Sequence, residues 1–392
     1  MKRRFAALAV IAGVLSCGSA YAEGFYFGEE TKGVTFTAND SDLNIRVRLQ
    51  PRFDYGDLIQ SKDGKSYESE SDLYMRRIRL EMGGNLLAKT IKYNFTLQAD
   101  KWDQTGHTNA VQVLYSYVTW EADDALSLTV GKLKLPYSRV SLTSSSKQLL
   151  IERPVSTEAA KKIFGLTDPY FQPKIAAAGK FLDGIAAYEV AVADGWQNGQ
   201  LIQTGRTVFK SNPLYVARVE LSPPGWVEKS KSDAHLGKGQ HLTFGANYAD
   251  QSGIEYNGTT NEFKESRDLW GVDLSGHYKG ITAQVEYNVW SIDSDDPAIA
   301  DTKPKGWYAQ AGYFIDGLNL EPVARYEVYD QNSKSNDKKE KDTTIGVNWY
   351  GKGHSFKIGA NWVHTKYENS ATGKLTDDDK KDIYQVQAQM YF

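Results

Sequence analysis

Cysteine is nearly missing: there is one in 392 residues, Cys17. It falls in a leader-like N-terminus, so the exported chain would hold no disulfide framework. A lipoprotein reading of Val14-Leu15-Ser16-Cys17 fits poorly, because Leu directly precedes Ser. Long apolar runs are missing as well. Mean hydropathy is −0.51, and no stretch approaches the roughly 20 consecutive apolar residues a spanning helix needs. That excludes a helical inner-membrane protein, but not membrane-crossing strands, whose alternating faces average to a polar composition. No linker rich in Pro, Gly or Ser and no shift in composition divides the chain.

Catalytic and metal signatures are equally sparse. Ser144-Ser145-Ser146-Lys147 satisfies S-x-x-K, but no S-D-N or K-T-G follows, so it reads as a polar loop. Gly64-Lys65-Ser66 lacks the upstream glycine of a phosphate-binding loop. His107, His235, His241, His277, His354 and His364 show no H-E-x-x-H or other ligand spacing and read as solvated or rim histidines. Asp293 to Asp296 and Asp377 to Asp379 lack the central Gly and terminal Glu of a calcium loop. The expectation is no enzyme and no cofactor.

What is present is a leader and a period of two. Lys2, Arg3 and Arg4 precede an apolar run from Phe5 to Leu15 and the small-x-small site Ala20-Tyr21-Ala22, which reads as a signal peptide over 1–22. Cleavage removes three basic residues and takes the formal net charge from −3 to −6. An acidic exported chain is a poor nucleic-acid binder. At the other end, Tyr384, Val386, Ala388, Met390 and Phe392 alternate without exception with Gln385, Gln387, Gln389 and Tyr391. One face suits lipid, and a row of glutamines suits water. A closing strand ending in Phe resembles the assembly signal of bacterial outer-membrane barrels.

The same logic recurs upstream. Ile45, Val47, Leu49, Pro51, Phe53 and Tyr55 oppose Arg46, Arg48, Gln50, Arg52 and Asp54, and Ile78, Leu80 and Met82 oppose Arg77, Arg79 and Glu81. Pro51 costs a ladder bond, so it belongs at a bulge or rim. Sixteen strands can be counted, the weakest being Lys174 to Leu182, with short turns alternating with long connections. The expected fold is all-β: a transmembrane antiparallel barrel of about 16 strands over residues 23–392. One connection breaks the alternation: Ser222 to Gly239 is eighteen residues long where a short turn belongs.

Arg46, Arg48, Arg52, Arg77 and Arg79 take the polar face of two neighbouring strands about 4.8 Å apart, which predicts one positive wall. Lys92 and Lys132 are weaker contributors. Pairing with Asp54, Glu81 or other acids is the competing reading of these arginines. Three stretches, R-V-R-L-Q-P-R-F-D-Y with L-Y-M-R-R-I-R-L, V-G-K-L-K-L-P-Y, and L-T-S-S-S-K-Q-L-L-I-E-R-P, resemble the phosphate-selective porin O and P family. The resemblance implies a homotrimeric outer-membrane porin that passes small anions such as phosphate. It also implies a third long loop folded into the pore, matched by Leu135 to Pro173, with a short helix within Ser156 to Phe164. Arg218 and Arg325 are the only later arginines that clearly take a polar strand face, and Glu81, Glu220, Glu286, Glu321 and Glu327 share that face. A general or differently selective porin, or a non-conducting barrel, is the alternative.

Overall fold

The computed structural model describes residues 33–60, 67–165, 171–203, 205–258, 261–334, 339–368 and 380–392; the leader reading of 1–22 lies outside them. Sixteen strands form the wall: β1 (Ser41–Gln60), β2 (Tyr67–Leu86), β3 (Ile91–Trp102), β4 (Val111–Asp123), β5 (Leu126–Lys134), β6 (Phe171–Phe181), β7 (Ala186–Ala193) and β8 (Leu214–Leu221). The second half comprises β9 (Gln240–Asn257), β10 (Glu262–Tyr278), β11 (Ile281–Ser294), β12 (Lys305–Tyr313), β13 (Leu320–Asp330), β14 (Lys339–Lys352), β15 (Phe356–Glu368) and β16 (Lys380–Tyr391). Each pairs antiparallel with the next, and β16 pairs with β1, so the sheet closes on itself. Closure leaves no edge to satisfy in lipid. Three short strands add to it: Val34–Ala38 on β1, and Leu201–Gln203 with Arg206–Lys210 at the far end of β9.

Alternation sorts the side chains as expected. Val130, Ile175, Val219, Ile345 and Val386 are exposed on the outer face, whereas Gln98, Asn247, Gln284, Asn348 and Gln387 are buried inside. Exposed aromatics gather toward both ends of the wall: Tyr278, Tyr313, Trp349 and Phe356 near the short turns, and Tyr55, Tyr215, Tyr248 and Tyr384 near the other rim. Amphipathic rings favour the two membrane interfaces.

The seam closes through Phe392. Its N–H donates to Val47 O at 3.0 Å, and Val47 N–H donates to Phe392 O at 2.6 Å. Removing Phe392 deletes this reciprocal pair and an aromatic anchor. The expected result is a smaller fraction of folded barrel, read as the heat-modifiable band on detergent gels; an unchanged fraction would mean the seam does not depend on it.

Several strands run further than their apolar alternation. β9 reaches Asn257 and β10 begins at Glu262, leaving only 258–261 between them. Beyond the lipid-facing zone the pattern inverts: Ile254 and Tyr256 are fully buried with Trp196 and Val208 under the two short strands. Backbone pairing continues there without a lipid face to mark it.

Candidate functional site

Pro51, expected at a bulge or at a rim, sits at a bulge. Gln50 pairs with Arg77 and Pro51 with Met75, so Arg76 is the extra residue. The shift turns both Arg76 and Arg77 inward. Six guanidinium groups therefore line β1 and β2, and from Arg46 to Arg52 the row runs roughly 20 Å along the strand.

Four carboxylates answer them in two tiers. Near the short turns, Glu81 takes Arg48 at 2.7 Å and Arg46 at 3.3 Å. Arg48 and Arg79 stand directly opposite each other, a repulsive pairing, and both donate to Ser145 Oγ, at 3.1 and 3.3 Å. Arg79 also donates to Gln98 at 2.6 Å. In the upper tier Glu152 binds Arg52 and, at 2.8 Å, Arg76; Arg52 also meets Asp54 at 2.7 Å, and Arg76 meets Asp100. Burial works against a charge on Glu152, yet Arg76 and Arg52 hold its carboxyl well below the usual carboxylate range. Arg77 donates to Gln50 at 3.2 Å and lies 3.8 Å from Asp100.

Ser145 and Glu152 belong to the connection from β5 to β6, which crosses the lumen. Helices α1 (Arg139–Leu142) and α2 (Val155–Ala160), the latter followed by a 3-10 turn Lys161–Phe164, give it shape. Tyr137, Ala160, Ile163 and Phe164 bury into one cluster, and Leu149 and Leu150 into another. The opposite wall grips its backbone: Asn348 donates to Leu149 O at 2.7 Å, Lys357 to Gln148 O at 2.7 Å, and Arg325 to Glu152 O at 2.8 Å. Glu327 accepts from Val155 N–H at 2.6 Å, and Glu286 accepts from Ser138 Oγ and Thr157 Oγ1. Gly306 sits under α2 so closely that a Cβ there would come within 2.3 Å of Ser156 Cβ; only glycine admits the helix at that distance.

The eighteen-residue exception is a second inward element. Residues 222–239 rise from the short-turn end and clasp the crossing loop. Arg139 makes a bidentate pair with Glu228, both bonds 2.8 Å, and donates to Ser232 O at 3.0 Å. Thr143 donates to Asp233 at 3.0 Å, and burial pushes the Asp233 carboxyl up to about 6. Ala234 packs with Leu149, Leu150 and Phe314.

Cavities flank this pair of elements, and two of them carry lumenal charge. One, of ≈ 330 Å³, is lined by Arg46, Arg48, Arg79, Glu81, Ser144, Ser146, Lys147 and Tyr391. The other, of ≈ 770 Å³, mixes Lys92, Lys180, Lys231 and Arg218 with Glu121, Glu189 and Glu220.

Of the residues singled out from sequence, Arg46, Arg48, Arg52, Arg77 and Arg79 converge on one wall. Lys92 stands apart, half-exposed and paired with Glu121 at 2.5 Å, beside the mixed cavity. Lys132 departs from expectation. It pairs with Ser116 and Pro173, sharing the face of exposed Val130 and Ile175, so the register puts it on the outside. Sequence reasoning missed Arg76, because a bulge resets the alternation, and Arg267, which lies inside against Glu265. It also missed Ser145 and Glu152 as partners of the wall, since loops carry no periodicity. The competing pairing reading holds in part, for Asp54 and Glu81 do bind arginines.

Comparison with known proteins places this architecture. The chain is 38% identical to an uncharacterized protein of Aquifex aeolicus over 93% of this chain and 91% of that one. It is 25% identical to Porin O of Pseudomonas aeruginosa over 98% and 97%. The fold matches that of an anion-selective porin from Comamonas acidovorans with a TM-score of 0.62 and 13% identity, covering 90% of this chain and all of that one. The model of the family "Phosphate-selective porin O and P" matches residues 45–392, and with the closed sixteen-strand wall it identifies the chain as an outer-membrane porin that belongs to that family.

Proposed function

We propose that the pore favours small anions, phosphate among them, and that Arg46, Arg48, Arg52, Arg76, Arg77 and Arg79 provide the preference. The supporting observation is the hydroxyl of Ser145 held between Arg48 and Arg79 at the edge of the ≈ 330 Å³ cavity. A neutral oxygen already collects donors from two guanidinium groups there, and an anionic oxygen would be bound more strongly. Planar guanidinium forks suit phosphate better than ammonium does, and rings or walls of Arg select anions in pores. Relatedness to Porin O is consistent with this reading. A homotrimer, as the family implies, is part of the proposal, and so is a channel without catalysis. Both ends of the Ser-x-x-K match have structural partners, Ser144 hydrogen-bonding Ser146 Oγ at 3.0 Å and Lys147 donating to Ser230 Oγ at 3.1 Å.

The mixed-charge cavity of ≈ 770 Å³ favours a second reading, a general diffusion porin in which acids cancel the wall. Reversal potentials in a KCl gradient, followed by titration of chloride current with phosphate, decide between them. Anion preference with block by phosphate supports the proposal. Cation preference overturns it, and anion preference indifferent to phosphate favours the general porin.

A further inference from the structure

Three histidines that look unrelated in sequence meet at the short-turn end of the lumen, which is the periplasmic end in bacterial outer-membrane barrels. His241 and His277 are directly paired across β9 and β10, and His235 comes from the inward segment 222–239. The His235 ring centroid lies 4.6 Å from that of His241 and 4.6 Å from that of His277. His241 and His277 are each 2% exposed. His235 Nε2, His241 Nδ1 and His277 Nε2 are all buried without a hydrogen-bond partner. Buried polar atoms are normally satisfied, so three such nitrogens in one patch point to a missing partner.

The spacing indicates what that partner is. Ligand atoms of Glu228, His235 and His241 lie within 4.8 Å of one another, and His235 Nε2 is 3.5 Å from Glu228 Oε1. That separation is long for a hydrogen bond, yet it matches the ligand-to-ligand edge of a tetrahedral zinc site, roughly 3.4 Å for bonds of about 2.05 Å. The other nitrogen of His241 is oriented by Ser275 Oγ at 3.3 Å, and that of His277 by Thr282 Oγ1 at 3.1 Å. Such outer contacts typically fix metal-binding imidazoles. Glu228 already accepts Arg139 in a bidentate pair and Ser232 N–H at 2.9 Å, so the carboxylate is held in place and its charge is shared. Two imidazoles and a carboxylate suit Zn²⁺ and its borderline neighbours, whereas Mg²⁺ and Ca²⁺ prefer all-oxygen sites.

We infer that Glu228, His235 and His241, with His277 stacked beside them, form a binding site for a transition-metal dication such as Zn²⁺, which fastens the periplasmic segment 222–239 to the barrel wall. The site is independent of the selectivity reading, since none of these residues belongs to the arginine wall.

The test uses the full-length folded porin in detergent, exposed to zinc chloride or magnesium chloride, freed of unbound ion and assayed for retained metal. The expected result is about one zinc per chain with at least two imidazoles in its X-ray absorption signature. Magnesium should not be retained, and zinc should fall to background in His235→Gln and His241→Gln. Heat-modifiable migration verifies that the variants fold. No zinc on the wild-type chain, fewer than two imidazoles on it, or undiminished zinc in both folded variants would each overturn the site.

Discussion

Replacing Thr143–Lys162 with a short glycine-serine bridge is expected to raise single-channel conductance several-fold. The excised stretch contains Ser145 and Glu152, which rest on the arginine wall, and Leu149 to Ile151, which lie against the opposite side. The bonds that hold it run to lumenal side chains of Arg325, Glu327, Asn348 and Lys357. The antiparallel ladder that closes the wall uses none of them. Removal therefore takes out a segment that crosses the lumen while leaving the barrel's backbone hydrogen bonds intact. The polar groups so released would face water, not a dry core, which keeps the cost of leaving them unmated small. Recordings in planar bilayers provide the check; an unchanged conductance would mean that ions bypass the crossing loop.

The second large effect concerns charge. Arg48→Ala together with Arg79→Ala is expected to move the reversal potential in a KCl gradient toward cations and to weaken phosphate block by an order of magnitude or more. Each arginine in a partly solvated lumen contributes on the order of 1 kcal/mol toward an entering anion, about a fivefold bias. Arg48 and Arg79 face each other and share Ser145, so their contributions are coupled and do not simply multiply. The loss should exceed that of one arginine, because Glu81 would retain only Arg46 among these cationic partners and so become a repulsive charge beside the cavity. Adding Glu81→Gln to the pair should recover part of the anion preference. A double variant with unaltered selectivity would place the discriminating groups elsewhere, with the upper tier of Arg52 and Arg76 the next to test.

How much of this was legible in the sequence follows from where periodicity operates. All sixteen strands could be read, because each presents one face to lipid and the other to water, as Val386 and Gln387 do within one dipeptide step. Pro51 announced a break in pairing, at a bulge or a rim, since it cannot donate to the ladder; it did not say which of the two. The consequence of that bulge was invisible, because one skipped residue turns Arg76 inward alongside Arg77. The ends of β9 and β10 were hidden for a related reason: beyond the lipid zone Ile254 and Tyr256 reverse the pattern. The loops were opaque, because Glu152 finds Arg52 and Arg76, and Glu228 finds Arg139, through folding of irregular backbone. The histidines escaped a spacing search for the same reason, being brought together by one loop and two strands.

The clasp between Arg139 and Glu228 also bears on the order in which the molecule matures. The two residues are 89 positions apart, and β6, β7 and β8 lie between them. One arrives on the crossing loop and the other on a periplasmic segment. A contact of this separation, made between two irregular segments that cross the lumen, is expected to form late, after the sheet that frames both segments. Contacts made that late act on the unfolding limb of the kinetics. Weakening the clasp should leave the rate of barrel formation nearly untouched and shorten the lifetime of the docked crossing loop, an effect on how long the arrangement persists and not on whether it forms.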